Sequence, residues 1–302
     1  MAKSVYEGRA YPTDLRIPLP NGKELILGDH TWVKVHGKGD FVCWGGKNGK
    51  GDRSIVSGKK GHYAVSNCYR TKTKKHKDTA GFAYAVNGVC HQAANLYMRP
   101  ARQKMTLKVR GYYASLAAFG AYGNTAPFAG VGGQLAFRAY WDLRYWNKCK
   151  RKTMMALGAD DEPDDTPVDP VFEALAALHG GEDAPADAAA ANAAQRNELA
   201  IIMELSDVRA DYGQIEDLHV ELQESRDEAL GAGLTGLDLA TAINTRVADF
   251  QVACANRLDG DMMMELNGTT AEDPVAIVDP RIAEDTADQE VVTDYTTPPD
   301  DQ

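Results

Sequence analysis

The sequence NGVCHQAANLYM, residues 87–98, predicts a tight turn followed by a short helix. Asn-Gly is a strong turn signal, and the residues after it suit a helix that Pro100 ends. Cys90 therefore falls at the start of this helix, where the helix dipole and free N–H groups stabilise a thiolate. The same N–H groups can bind an oxyanion during acyl transfer. The stretch thus favours a nucleophilic cysteine, and a buried, unreactive cysteine is the alternative.

Two histidine-bearing strands precede this helix. His30 opens the segment HTWVKV and His62 opens HYAVSNC, and both segments are short and rich in β-branched or aromatic residues. A nucleophilic cysteine needs a histidine base, and that histidine needs a polar group that orients it. The sequence therefore offers histidines upstream of the cysteine, on strands.

The chain order of these features is the reverse of the papain order and matches circularly permuted members of that fold. On the motifs GDHTWV and NGVCHQAAN, residues 22–98 resemble the permuted branch of the NlpC/P60 (papain-like) cysteine hydrolases. The resemblance covers about a quarter of the chain. It implies that Cys90 is the nucleophile, His30 the general base and His62 the orienting group. Asn67, on the strand that His62 begins, is the alternative orienting group.

The remaining candidate ligands and motifs point to no cofactor. His91 follows Cys90 directly and faces another side of the helix, so we expect a packing or oxyanion-side role for it. The cysteines other than Cys90 lack the paired spacing of zinc ligands, and no metal site is expected. The segment GGKNGKGDRS lacks the frame of a phosphate-binding P-loop.

The charge divides the chain into two halves. Residues 1–152 carry 27 of the 33 Lys and Arg residues but 8 of the 43 acids, so the net charge of −10 hides a basic half and an acidic half. All four Trp and four of the five Cys also lie in the basic half. We expect an α+β papain-like domain over residues 1–152, with a small antiparallel sheet and a nucleophile-bearing helix.

The acidic half is predicted to contain three segments. Residues 153–187 read as an acidic linker that contains proline. Residues 188–266 are predicted to be helical, and apolar side chains over 201–222 have the spacing of a coiled coil or helical hairpin, which makes that stretch a candidate for homo-oligomer formation. Acids, Thr and Pro dominate residues 267–302, which favours a disordered tail.

A dense cationic band in the basic half is a candidate site for an anionic polymer, either cell-wall material or nucleic acid. Its members are Arg53, Lys59, Lys60, Arg70, Lys72, Lys74, Lys75 and Lys77. A solvated surface is the alternative. The acidic half is a candidate to contact this band or a protein partner.

These features lead to a cysteine hydrolase of amide or ester bonds, with an acidic helical region for regulation or interaction. The alternative is a nucleic-acid-binding or structural protein of phage or mobile-element type that uses the basic half. A noncatalytic assembly protein that oligomerises through its helices is a third interpretation.

The sequence also bears on location. It contains no apolar run of about 18 residues and no apolar stretch of signal-peptide length at the N-terminus, so neither a membrane span nor a secretory leader is expected. Five cysteines without a CxxC pair fit a reducing compartment. We expect a cytoplasmic protein, and export by a specialised machine that reads no cleavable leader is left open.

Overall fold

The computed structural model describes residues 4–61, 83–98, 101, 103–123, 199, 214–268 and 273–287. The strands are β1 (Ser4–Tyr11), β2 (Arg16–Pro18), β3 (Glu24–Leu27), β4 (His30–Val35), β5 (Gly39–Phe41), β6 (Arg53–Gly61) and β7 (Val275–Ala276). The helices are α1 (Cys90–Met98), α2 (Tyr112–Phe119), α3 (Glu216–Gly231), α4 (Gly236–Ala255), α5 (Gly260–Asn267) and α6 (Pro280–Asp285). The fold is mixed α+β, as the sequence predicts at this coarse level.

The larger sheet has the strand order β5-β4-β1-β6, and every neighbouring pair is antiparallel. The pairing of β1 with β4 ends at Tyr11 opposite His30, so the last residue of one strand lies beside the first residue of the other. Gly8 in the middle of β1 permits close packing of the sheet on α1, because a Cβ there would lie 2.7 Å from the sulfur of Met98. The sheet and α1 are thus packed closely against each other.

Helix α1 lies in the interior, with all nine of its residues buried. A helix that is buried on every side must satisfy its polar side chains internally. Asn95 meets this requirement completely. Its amide donates to the Ala121 carbonyl at 2.7 Å and to the Tyr112 hydroxyl at 2.8 Å, and its oxygen accepts the Met105 N–H at 2.7 Å. These bonds fix α1 against α2 and the loop that precedes it.

The helices of the acidic half pack into the same hydrophobic core as the basic half. His219 on α3 lies 3.0 Å from the Tyr113 hydroxyl of α2 and packs on Phe250 of α4. The predicted linker over 153–187 lies outside the described residues, as does the 201–213 part of the predicted oligomerisation segment. Of the rest of that segment, His219 and Leu222 are buried within this chain, so they offer no surface to a second copy.

The prediction of a disordered tail from residue 267 onward is wrong for residues 273–287. Here β7 pairs in parallel with β3, at Ile26 with Val275, and completes a second sheet of order β2-β3-β7 before α6 follows. The reason is the apolar run at 275–278, all four residues of which are buried. The free energy gained by burying this apolar run exceeds the tendency of the surrounding polar residues to stay in solvent.

Two buried amides on α4 hold this C-terminal segment in place. Asn244 donates to the Val278 carbonyl at 2.8 Å and accepts the N–H groups of Ile277 and Val278 at 3.1 and 3.0 Å. Seven residues further along the helix, Gln251 donates to the Val275 carbonyl at 2.8 Å and accepts its N–H at 3.1 Å. The two side chains therefore replace strand partners along the edge of β7.

Replacing Asn244 with alanine should lower the free energy of unfolding by about 3 kcal/mol, because two N–H groups and one carbonyl then stay buried without partners. Asn256→Ala, at the exposed residue that follows the C-terminal end of the same helix, is the matched control. Urea unfolding of the full chain measures both. Equal losses for the two variants would show that the amide does not anchor the segment.

Candidate active site

Cys90 is the first residue of α1, and its side chain lines a cavity of about 280 Å³ together with His30. The start of the helix is fixed by Gln92, whose side-chain oxygen accepts the N–H of Val89 at 3.1 Å. This is one half of a capping box. The amide nitrogen of Gln92 donates to the Gly120 carbonyl at 2.9 Å, which ties the helix start to the end of α2. Cys90 is thereby held at a defined point on the cavity wall.

His30, the first residue of β4, lines the same cavity as Cys90, and its ring lowers the pKa of the Cys90 thiol. The Nε2 atom of His30 is 2.8 Å from the Gly46 carbonyl oxygen. Because a carbonyl only accepts, Nε2 carries the hydrogen, which leaves Nδ1 as the nitrogen that can accept a proton. The sequence predicts that Cys90 and His30 act together, and the structure places both on the wall of one cavity.

The loop that orients His30 depends on two consecutive glycines. Gly45 and Gly46 have φ angles of +91° and +93°, a conformation that other residues rarely adopt. A Cβ on Gly45 would lie 3.3 Å from Cε1 of His30, so the backbone approaches the imidazole closely. The orienting group of His30 is thus a backbone carbonyl, whereas the predicted orienters His62 and Asn67 lie outside the described residues.

His91 lies on the interior side of Cys90 and is 2% exposed. Its Nδ1 atom is 2.8 Å from the Ser115 hydroxyl, and its Nε2 atom is 2.9 Å from the Asp29 carbonyl oxygen. The ring also lowers the pKa of the neighbouring Cys90 thiol. The helix face of His91 predicts a packing or oxyanion-side role, and it does not predict an effect of this ring on the Cys90 thiol. The only signal in the sequence is its position beside Cys90.

The two histidines determine the charge of Cys90. Burial by itself would raise the pKa of the Cys90 thiol, but the charge of His91 and the hydrogen bonds from His30 and His91 outweigh burial and hold the pKa well below its ordinary value. Burial likewise lowers the pKa of His91, yet the negative charge of Cys90 and the bonds to Cys90 and Asp29 raise it overall. The site therefore stabilises a thiolate.

The C-terminal segment and two tyrosines form the rest of the cavity wall. The Tyr84 hydroxyl accepts the N–H of Asp279 at 2.8 Å, so residues far apart in sequence meet beside Cys90. Burial and the nearby negative charges of Cys90 and Cys43 raise the pKa of Tyr11 to about 12. The Tyr11 hydroxyl thus stays protonated at neutral pH. At the mouth, Arg281 makes two hydrogen bonds to the Asp279 carboxylate, at 3.0 and 2.7 Å.

The structure describes only part of the predicted cationic band. Arg53 donates to the Asp29 carboxylate at 2.7 Å, so it pairs with an acid next to His30. Lys60 is exposed on β6, and Lys59 belongs to the same strand. The other five members lie outside the described residues: Arg70, Lys72, Lys74, Lys75 and Lys77. Binding of an anionic polymer therefore stays a prediction from the sequence.

Comparison of the chain with protein-family models, with curated proteins and with solved structures found no match. Across the described ranges, no cluster of three or more His, Cys, Asp and Glu side chains is arranged to hold a metal ion. In the same part of the chain, no helix is both long and apolar enough to cross a membrane. The interpretation of the site therefore depends on its own geometry.

Iodoacetamide should alkylate Cys90 at about pH 6, where an ordinary cysteine is almost entirely a thiol. The lowered pKa keeps Cys90 as a thiolate there, and reactivity is lost only when the pH falls through that pKa. Peptide mass spectrometry on a Cys68→Ala, Cys149→Ala background identifies the labelled residue. Cys254, whose pKa burial raises to about 12, is the internal control that should stay unlabelled. Labelling of Cys90 that begins only above about pH 8 would contradict a stabilised thiolate.

Proposed function

We propose that this protein is a thiol hydrolase that cleaves an amide or ester bond. One observation carries the proposal: Cys90 and His30 line the same cavity, and the Gly46 carbonyl accepts a hydrogen bond from Nε2 of that histidine. The His30 ring also lowers the pKa of the Cys90 thiol. A nucleophile, a base and a group that orients the base form the arrangement that nucleophilic catalysis requires. Both side chains line a cavity that a substrate can enter.

The proposed reaction has two stages. The sulfur of Cys90 attacks the substrate carbonyl carbon, and the oxyanion forms near the backbone N–H of Cys90 at the start of α1, where the helix dipole favours negative charge. His30, protonated at Nδ1, gives its proton to the leaving amine or alcohol as the carbon–heteroatom bond breaks, which yields a thioester. Water then attacks the thioester, His30 accepts its proton, and the acid product and thiolate are released.

The resemblance to the permuted NlpC/P60 branch supports the same chemistry. The histidine strand precedes the cysteine helix in the chain, and that helix packs against the antiparallel sheet which carries the histidine. In this proposal the Gly46 carbonyl takes the orienting role that the resemblance assigns to His62. The substrate class stays at amide or ester, since the described residues of the site supply groups for acyl transfer to water.

The test is hydrolysis of 4-nitrophenyl acetate, an activated ester with a coloured leaving group. Cys90→Ala should abolish the burst of nitrophenol, and His30→Gln should slow it by roughly 10²- to 10⁴-fold, the usual contribution of a positioned base. His36→Gln is the matched control, because His36 is half-exposed and contacts Glu7 away from the cavity. The acetyl group should appear on Cys90 by mass spectrometry. Full turnover in Cys90→Ala would eliminate the proposed function.

The glycine loop offers a separate test of the orienting role. Gly45→Ala should slow hydrolysis at least tenfold, since the new Cβ presses on the His30 ring and displaces it from Cys90. Gly37→Ala is the control, because Gly37 also has a positive φ of 75° but has nothing near its missing Cβ. The two variants carry a similar backbone penalty and differ in the contact with His30. Equal activities would mean that the loop does not position the base.

A further inference from the structure

His91 is a buried titratable group that the proposed proton transfers do not use. Its Nε2 atom lies 2.9 Å from the Asp29 carbonyl oxygen. A carbonyl oxygen has no hydrogen to donate, so Nε2 must carry one. This bond alone is compatible with a neutral ring, and the protonation of Nδ1 decides the charge.

The partner of Nδ1 is also an acceptor. The Ser115 hydroxyl has one hydrogen and lies 2.8 Å from both the Tyr112 carbonyl oxygen and Nδ1 of His91. Donation to Tyr112 makes the hydroxyl oxygen the acceptor for His91, whereas donation to Nδ1 would leave two oxygens 2.8 Å apart with no hydrogen between them. The amide nitrogen of Gln92 approaches the same oxygen at 3.4 Å and is a further donor. Nδ1 therefore carries a hydrogen as well. A ring that donates from both nitrogens is an imidazolium cation.

The charged groups around this cation are otherwise paired with each other. The Asp29 carboxylate binds Arg53 at 2.7 Å and lies 3.4 Å from Arg110, and Asp279 binds Arg281 across the cavity. The other titratable residues that line the cavity among the described residues are Tyr11, Asp14, His30, Lys50 and Tyr84. The Tyr112 ring lies edge-on to His91, with ring centroids 5.6 Å apart. Cys90 is the residue next to His91 in the chain and lines the same cavity, so its thiolate is the anionic partner that lies beside this ring.

We propose that His91 is a permanent imidazolium that acts as the counter-ion of the Cys90 thiolate, and that the Ser115 hydroxyl and Asp29 carbonyl hold it in this state. His91 is a positioning residue, since it acts through Cys90. It keeps the nucleophile ionised whether or not His30 is protonated. His30 is then free to exchange its proton during both stages of the reaction.

The inference rests on the same cysteine as the proposed hydrolase, but its test needs no substrate. The rate of Cys90 alkylation is measured against pH in the full chain, on the background that lacks Cys68 and Cys149. Ser115→Ala removes the acceptor of the Nδ1 hydrogen and should cut the alkylation rate at about pH 6 roughly tenfold, the effect of one pKa unit on the thiolate fraction. His91→Gln should cut it further.

Ser115→Thr retains the hydroxyl and is the matched control. It should restore the rate and the pH midpoint of the native chain, whereas a defect of packing alone would affect Thr at least as much as Ala. An unchanged midpoint in both Ser115→Ala and His91→Gln would overturn the proposal.

A second measurement covers the case in which a variant does not fold. Nitrogen chemical shifts of labelled histidine in the native chain should show His91 with both ring nitrogens protonated at about pH 8, above the usual titration of histidine. A neutral ring there would overturn the proposal. If the native chain showed a doubly protonated His91 but did not hydrolyse 4-nitrophenyl acetate, the proposed hydrolase would be contradicted and the counter-ion role of His91 would be retained.

Discussion

The contact that the rest of the site depends on is the one between Cys90 and His91 at the first turn of a fully buried helix. Moving a charge into the interior is costly unless it is paired and hydrogen bonded. The polar atoms around this turn meet that condition: the Asp29 carbonyl and Ser115 hydroxyl hold the imidazole, and Gln92 holds the helix start. The connection between β3 and β4, helix α1 and helix α2 are therefore fixed relative to each other by the hydrogen bonds of His91 and Gln92.

The cavity beside this pair is completed by the acidic half of the chain. The backbone of Asp279 holds Tyr84, and Arg281 and Ile282 line the mouth. Because Asn244 anchors the segment that leads to Asp279, a helix remote from the thiol controls the shape of its cavity. The acidic half thus forms part of the cavity wall. The charge distribution alone suggests only a regulatory role for it.

The side chains of this site can be predicted from the sequence, whereas the backbone groups that orient them cannot. The Asn-Gly turn and the histidine strand were enough to select Cys90 and His30, because both signals are local. The Gly46 carbonyl carries no signature, since its orientation follows from two left-handed glycines in a loop. Segment 273–287 was missed for a different reason: its four apolar residues are few beside the acids, and their burial depends on α4, distant in sequence.

In the proposed reaction, two histidines at one cysteine resolve a conflict between two requirements. A general base must release and recover its proton in every cycle, so at least one ring nitrogen has to face an exchangeable partner. A counter-ion must keep its proton throughout, so both of its ring nitrogens need fixed acceptors. One imidazole cannot satisfy both. Among the described residues, His30 has one fixed acceptor, the Gly46 carbonyl at Nε2, whereas His91 is hydrogen bonded at both ring nitrogens. The hydrogen-bond partners, which are mostly backbone atoms, divide the two tasks between side chains of identical chemistry.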